Sequence, residues 1–400
     1  MGYNRRMLSV PKTMQAVVYR GPGDLRLETI PVPRIGPGEL LVKVAVCGVC
    51  PTDIKKILHG TVPPPRVFGH ETAGTIVRVG ARVRGWRPGE RVALHHHVPC
   101  GDCHFCRHGV FAQCRGYKRT GVTAGFEPAG GGYAEYVRVL PFALPGVVRI
   151  PPENSFEEGA LLEPVNTVLK AVRRLGLQRG DQVLVAGQGP IGLLFTGLLR
   201  LEGAQVLASD LLPERLRLAR RYGARWTWRV RGGDPDTPAV SSVARRAGAT
   251  SRRGVGLAGP RAGSSIRDGA AASGLAGLVY RVTRRRGLDA AVVAVPSDAV
   301  VREALGLLRG GGRLLLFAHT TRGDALTVDP SAVCVDEKDL LGSYSADITL
   351  QEEVARLVFT RRLDVRPLIT HRFPLRRTAE AIALAARPKA GSLKIVVTEE

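Results

Sequence analysis

Four hundred residues exceed one ordinary core, so two domains are expected, and no apolar run approaches the roughly 20 residues that span a bilayer. The net charge of +23 invites a nucleic-acid partner. Only nine of the 58 basic residues are lysines, though, the arginines are scattered along the chain, and 5% aromatic content leaves little for base stacking; a specific nucleic-acid partner is not expected, only a salt-sensitive affinity for polyanions.

Residues 1–14 carry Arg5, Arg6 and Lys12 but no apolar stretch. They read as a flexible extension, not a secretory signal. Residues 15 to about 150 alternate short strands, such as 39–46, 71–79 and 132–139, with Gly/Pro turns, the pattern of an all-β body. Six of the seven cysteines lie between 47 and 114, which fits metal ligation in a reducing cytoplasm better than a disulfide framework. Cys100, Cys103, Cys106 and Cys114 follow C-x2-C-x2-C-x7-C. That spacing suits one tetrahedral structural zinc, whose d10 shell imposes no planar geometry and favours soft thiolates. A disulfide-bonded lobe is the weaker alternative.

Two further stretches bring together a thiol, an imidazole and carboxylates. They are Cys50-Pro-Thr52-Asp53 and Gly69-His70-Glu71, with Glu163-Pro164 offering another acid. Such a set suits a catalytic zinc that keeps a position open. Residues 155–174 read as one helix, with Ser155 as cap and Glu157 and Glu158 in the first turn.

From residue 182 the pattern becomes βαβα: strands at 182–186, 205–209, about 226–230, 290–295 and 313–317, with helices at 191–201, 213–222 and 300–308. This implies a parallel sheet covered on both faces. Gly187-Gln-Gly189-Pro190-Ile191-Gly192 follows the first of these strands and opens a helix, the context in which this fingerprint binds a dinucleotide pyrophosphate. Asp210 ends the next strand and is placed for the ribose hydroxyls, favouring NAD; Arg215 nearby leaves NADP as the alternative. Phe317 completes the candidate cofactor contacts. Between 229 and 272 eight arginines face three aspartates without Lys or Glu, and periodicity is lost. The segment 233–270 reads as a disordered insertion. The last sixty residues return to short strands, including 340–344, expected to rejoin the first domain.

Taken together, Cys50-Pro-Thr52-Asp53, Gly69-His70-Glu71, the four-cysteine lobe, Glu163-Pro164, the glycine fingerprint and Asp210 resemble the zinc-dependent medium-chain alcohol dehydrogenase family, in its polyol (sorbitol-dehydrogenase-like) branch. The resemblance covers about 15–228 and 275–400. It implies an α/β protein with a GroES-like β-rich catalytic domain (15–163 and 331–400) and a Rossmann doubly wound cofactor domain (164–330). It further implies Cys50 and His70 as catalytic zinc ligands, with Glu71 a ligand or a group just behind one. Glu163 stands where alcohol-specific members carry a cysteine, and Thr52 relays the proton. Hydride transfer between a secondary alcohol, polyol or sugar and NAD(P) follows as the expected activity. A non-catalytic, zinc-stabilised nucleic-acid binder is the alternative. A homodimer or homotetramer is expected, with strand 313–317 as pairing edge. Lys55 replaces the histidine that often passes the proton to solvent, leaving His59 as substitute; the run at 95–97 is read as structural. A redox pair of Cys47 with Cys50 is a weaker reading.

Overall fold

The computed structural model describes residues 10–95, 98–120, 130–231, 274–318 and 325–399. The first nine residues of the expected extension, His96, His97 and the expected insertion 233–270 lie outside these. Two compact units comprise residues 1–170 with 344–400, and residues 171–343. The boundaries thus fall at 170/171 and 343/344 instead of 163/164 and 330/331.

The first unit begins with β1 (Thr13–Gly21), β2 (Asp24–Pro31) and β3 (Leu40–Gly48), then α1 (Pro51–His59), β4 (Arg66–Val67), β5 (Glu71–Val79) and β6 (Arg91–Leu94). The cysteine lobe contributes α2 (His104–Arg107) and α3 (Arg115–Thr120), and β7 (Tyr136–Val139) and β8 (Val147–Arg149) complete this stretch. β3 is the organising strand. Its run Leu-Leu-Val-Lys-Val-Ala-Val is buried except at the half-buried Lys43 and Ala45; it pairs with β5 and β7, and its side chains feed separate cores on its two faces. The register sets Gly48 opposite Glu71 and Cys47 opposite Thr72.

The expected single helix at 155–174 is two: α4 (Phe156–Ala160) and α5 (Leu162–Leu175). Ser155 and Glu158 form a reciprocal capping box at the start of α4. Pro164 explains the break, since it has no N–H to donate to residue 160 and its ring would clash with that carbonyl.

The second unit contains β9 (Gln182–Ala186), α6 (Pro190–Leu201), β10 (Gln205–Asp210), α7 (Pro213–Arg221), β11 (Trp226–Arg229), α8 (Gly274–Val282), β12 (Leu288–Val293), α9 (Asp298–Leu307), β13 (Leu308–Leu316), α10 (Pro330–Cys334) and β14 (Asp339–Gly342). Among the described residues the sheet order is β11-β10-β9-β12-β13-β14, parallel throughout. This is the doubly wound dinucleotide-binding order 3-2-1-4-5-6. Two expectations are corrected here. The strand at 313–317 is no edge, because β14 pairs along it; and 340–342 belongs to this sheet, not to the first unit.

The chain then returns to the first unit with α11 (Gln351–Phe359), β15 (Ile369–Pro374), α12 (Thr378–Ala386) and β16 (Lys394–Thr398). β16 pairs antiparallel with β3, setting Val396 opposite Gly48. The ends of β3, β5 and β16 therefore meet at Gly48.

Candidate active site

Around Gly48 the chain gathers its chemistry. Cys50 is the N-cap of α1, with Pro51 in the first turn supplying a preset φ. His70 and Glu71 lead into β5. Ligand atoms of Cys50, His70 and Glu71 lie within 4.8 Å of one another. His70 is buried, and its Nδ1 is 3.0 Å from Oδ1 of the fully buried Asp53, which fixes the ring and turns Nε2 to the Cys50 side. Burial opposes a charge on His70, yet Asp53 and Cys50 together hold its pKa well above the ordinary value; the pocket favours positive charge. Glu71 forms a buried ion pair with Lys394 of β16, whose Nζ also donates to the Val49 carbonyl at 3.0 Å. A side chain at residue 48 would meet Glu71 Oε2 at 1.9 Å, so glycine there makes room for the carboxylate. A thiol, an imidazole and a carboxylate converging in a cation-favouring pocket fit a zinc ion.

Glu163, on α5, falls outside the group whose atoms lie within 4.8 Å. It is buried, and burial raises its pKa to about 7 despite the attraction of His70 and Lys394. Thr52 lies half-buried on the first turn of α1. Lys55 and His59 are both exposed on that helix, His59 about 10 Å along it from Thr52. His95 is buried, which pushes its pKa down to about 3, in keeping with a neutral structural side chain. Cys47 is buried, accepts a hydrogen bond from Thr72 Oγ1 at 3.4 Å, and has its pKa pushed up to about 12 by burial. A thiol held neutral in this way is a poor partner for redox exchange with Cys50.

In the lobe, all four Sγ atoms also lie within 4.8 Å of one another, with Cys103–Cys106 and Cys100–Cys114 separations of 3.5 Å and Cys100–Cys106 of 3.9 Å. Sulfurs about 2.3 Å from a tetrahedral zinc stand about 3.8 Å apart, so the set is close to the right size. The Cys114 thiol is buried, but the N–H groups of Cys100 and Tyr117 donate to it and bring its pKa down to about 6, preparing a thiolate ligand.

The second unit builds the dinucleotide cradle. Gly187 has φ +92, and a Cβ on Gly192 would meet the Gly187 carbonyl at 1.8 Å, whereas one on Gly189 would meet nothing within 4 Å. The loop is thus tight where strand turns into helix and open where a pyrophosphate approaches. Pro190 and Ile191 start α6, whose N-cap Gly189 makes no side-chain cap, leaving N–H groups for an anion. Asp210 accepts from Gln188 N at 2.6 Å and from Leu212 N at 2.8 Å, with Arg215 Nη1 3.9 Å away. It therefore pins the fingerprint loop. Phe317 packs edge-on against Phe195, centroids 4.9 Å apart.

Reading the sequence missed two groups. Asp53 stood within the quoted motif but received no role, and its partner is seventeen residues away. Lys394 had no local signal at all, because strand pairing alone brings it to Glu71.

Comparisons with known proteins agree with this geometry. Residues 36–152 match the family of the alcohol dehydrogenase GroES-like domain. The chain is 30% identical to sorbitol dehydrogenase of Bos taurus, covering 97% of this chain and 96% of the relative, and 29% identical to that of Gallus gallus, covering 95% of each. A solved structure of a candidate zinc-binding dehydrogenase from Sinorhizobium meliloti 1021, bound to NADP, is 28% identical with a TM-score of 0.77, covering 97% of this chain and 100% of that one. These relatives give no support to a non-catalytic nucleic-acid binder. With its four-cysteine lobe, its Cys-His-Glu cluster and its 3-2-1-4-5-6 sheet, the chain belongs to the zinc-dependent medium-chain alcohol dehydrogenases, in their polyol branch.

Proposed function

We propose that this protein is a zinc-dependent dehydrogenase that interconverts a secondary hydroxyl of a polyol or related sugar alcohol and the corresponding ketone, with NAD(P) as hydride partner. The observation that carries the reading is the convergence of Cys50, His70 and Glu71 in a pocket already favourable to a cation. In the oxidative direction the carbinol hydrogen leaves with its electron pair for nicotinamide C4, and the hydroxyl proton is released. Zinc, when bound, supplies the Lewis acidity that lowers the pKa of an alcohol. Cys50, His70 and Glu71 would hold it, with Asp53 fixing the His70 ring and Lys394 steadying Glu71. Thr52 offers a hydroxyl that accepts one proton while donating its own, the requirement for a relay. Glu163, with a pKa near 7, is suited to hold or release a proton at neutral pH.

Asp210 favours NAD, since its carboxylate would repel a 2′-phosphate. β14 is an edge of its sheet among the described residues, and its Leu340 is exposed. That edge suits pairing with a second copy, in a homodimer or a dimer of dimers. Seven free cysteines, five of them set as ligands, suit a reducing cytoplasm. Among the described residues no helix is long and apolar enough to cross a membrane.

The test is NAD reduction by zinc-loaded protein across polyols, sugars, inositols and simple secondary alcohols, repeated during graded chelation. The reading expects polyol turnover that vanishes before the fold melts, because the three-ligand site is open and the four-cysteine site is closed. Loss of activity and thermal stability together at every chelator dose would refute the division into two kinds of metal site.

A further inference from the structure

The four-cysteine lobe is joined to the segment beside the catalytic cluster by one buried residue. Tyr117, on α3, packs against Cys106 and Cys114, and its N–H donates to Cys114 Sγ at 3.5 Å. Its phenol oxygen lies 2.7 Å from Oγ of Ser345, a contact across 228 positions in sequence. One residue thus ties Cys114, through its backbone, to a distant part of the same unit, through its side chain. Ser345 is itself buried and has φ +64, a left-handed conformation that a non-glycine residue keeps only when its surroundings hold it there.

α5 holds the same segment from another side. Lys170 Nζ donates to the Tyr344 carbonyl at 2.9 Å, Asn166 Nδ2 to the Asp347 carbonyl at 3.0 Å, and the Asp347 N–H to Asn166 Oδ1 at 2.8 Å. Glu163 is on this helix, one turn before Asn166. Between the two attachments stands Tyr344, 42% exposed. Its phenol is raised in pKa by burial, with Cys50, His70 and Glu163 as its charged neighbours, so it stands beside the catalytic cluster.

We propose that Tyr117 is a positioning residue: its hydrogen bond to Ser345 transmits the order of the four-cysteine lobe to residues 344–347, and so fixes where Tyr344 stands beside Cys50, His70 and Glu163. The lobe then does more than stabilise its own loop, because order it imposes on this segment is order that alcohol binding need not impose again. The consequence for turnover rests on the dehydrogenase reading above; the contact itself does not.

The experiment uses the zinc-loaded full chain with Tyr117→Phe, Ser345→Gly and the double variant; glycine adopts φ +64 without penalty and removes Oγ. Two quantities are read: hydrogen exchange of the amides over 344–350 in the resting protein, and the KM values for alcohol and for NAD. Loss of one buried hydrogen bond should speed exchange by about five- to tenfold and raise the alcohol KM by a similar factor. The NAD KM and the zinc content should stay as in the parent, and the double variant should be no worse than either single one. Should Tyr117→Phe shed the lobe zinc, Ser345→Gly, remote in sequence from the four lobe cysteines, decides alone. Exchange and alcohol KM unchanged in Ser345→Gly, or effects that add fully in the double variant, would overturn the proposal. If the parent oxidises no alcohol, the dehydrogenase reading fails while the exchange measurement still decides the contact.

Discussion

Replacing Asp53 with Asn tests the catalytic cluster at its hidden support. Asp53 is wholly buried, and its Oδ1 meets His70 Nδ1 at 3.0 Å while Oδ2 is within 3.5 Å of the Tyr133 hydroxyl. Asn keeps the shape and an acceptor oxygen but removes the charge that makes the imidazole basic and holds its ring. Loss of such a carboxylate behind a metal-bound histidine weakens metal binding by about 10- to 100-fold, or about 1.4 to 2.7 kcal/mol. The four-cysteine lobe lacks this carboxylate and serves as an internal reference. In the assay, zinc-loaded parent and Asp53→Asn protein are equilibrated with graded chelator and the zinc remaining per chain is counted. The first step of metal loss should move to about 10- to 100-fold lower chelator strength in the variant, and the second should not move. Coincident first steps would show that Asp53 does not support the metal and that His70 is not the ligand assigned here.

Glu163→Gln should change how stability depends on pH in the zinc-free protein. The folded carboxyl has a pKa of about 7 against 4.5 when unperturbed, so its stabilising protonation is complete below about 4.5 and lost as pH rises through about 7, a fall of about 3 kcal/mol. Urea unfolding of the variant should lack that slope between pH 4.5 and 7, and an unchanged slope counts against a buried Glu163. Asp210→Ser should shift the NAD/NADP ratio of kcat/KM toward NADP by about one to two orders of magnitude. It should also raise the NAD KM, because Gln188 N and Leu212 N lose their acceptor; an unchanged ratio would remove Asp210 from the cofactor assignment.

What could be read from the sequence was what lies close together in it. The four cysteines fall within fifteen residues, and the glycine fingerprint sits directly between its strand and its helix. Local spacing therefore carried both. Pro164 was in plain view, yet the break at Leu161 went unread because helical periodicity continued through it. The placement of β14 was illegible for another reason: four residues ending in Gly342 carry no mark of which sheet they join, and parallel pairing with β13 decides it. Lys394 is the extreme case. Nothing near it distinguishes a buried partner of Glu71 from any other lysine that begins a strand.

That long reach bears on how the enzyme comes into being. The lobe's four ligands are synthesised almost together and can capture zinc as soon as they emerge. The Cys50, His70 and Glu71 cluster has its metal ligands within the first seventy-odd residues, but Lys394 Nζ reaches Val49 across 345 positions. Until β16 has been made and laid against β3, Glu71 lacks the Lys394 cation and the Val46–Gly48 end of β3 lacks its β16 partner. A nascent chain therefore carries an early, finished metal module and a late, unfinished one. Any ion entering the second module before residue 394 arrives meets a carboxylate that is not yet held in place, so selection of the catalytic metal belongs to the closing stage of folding.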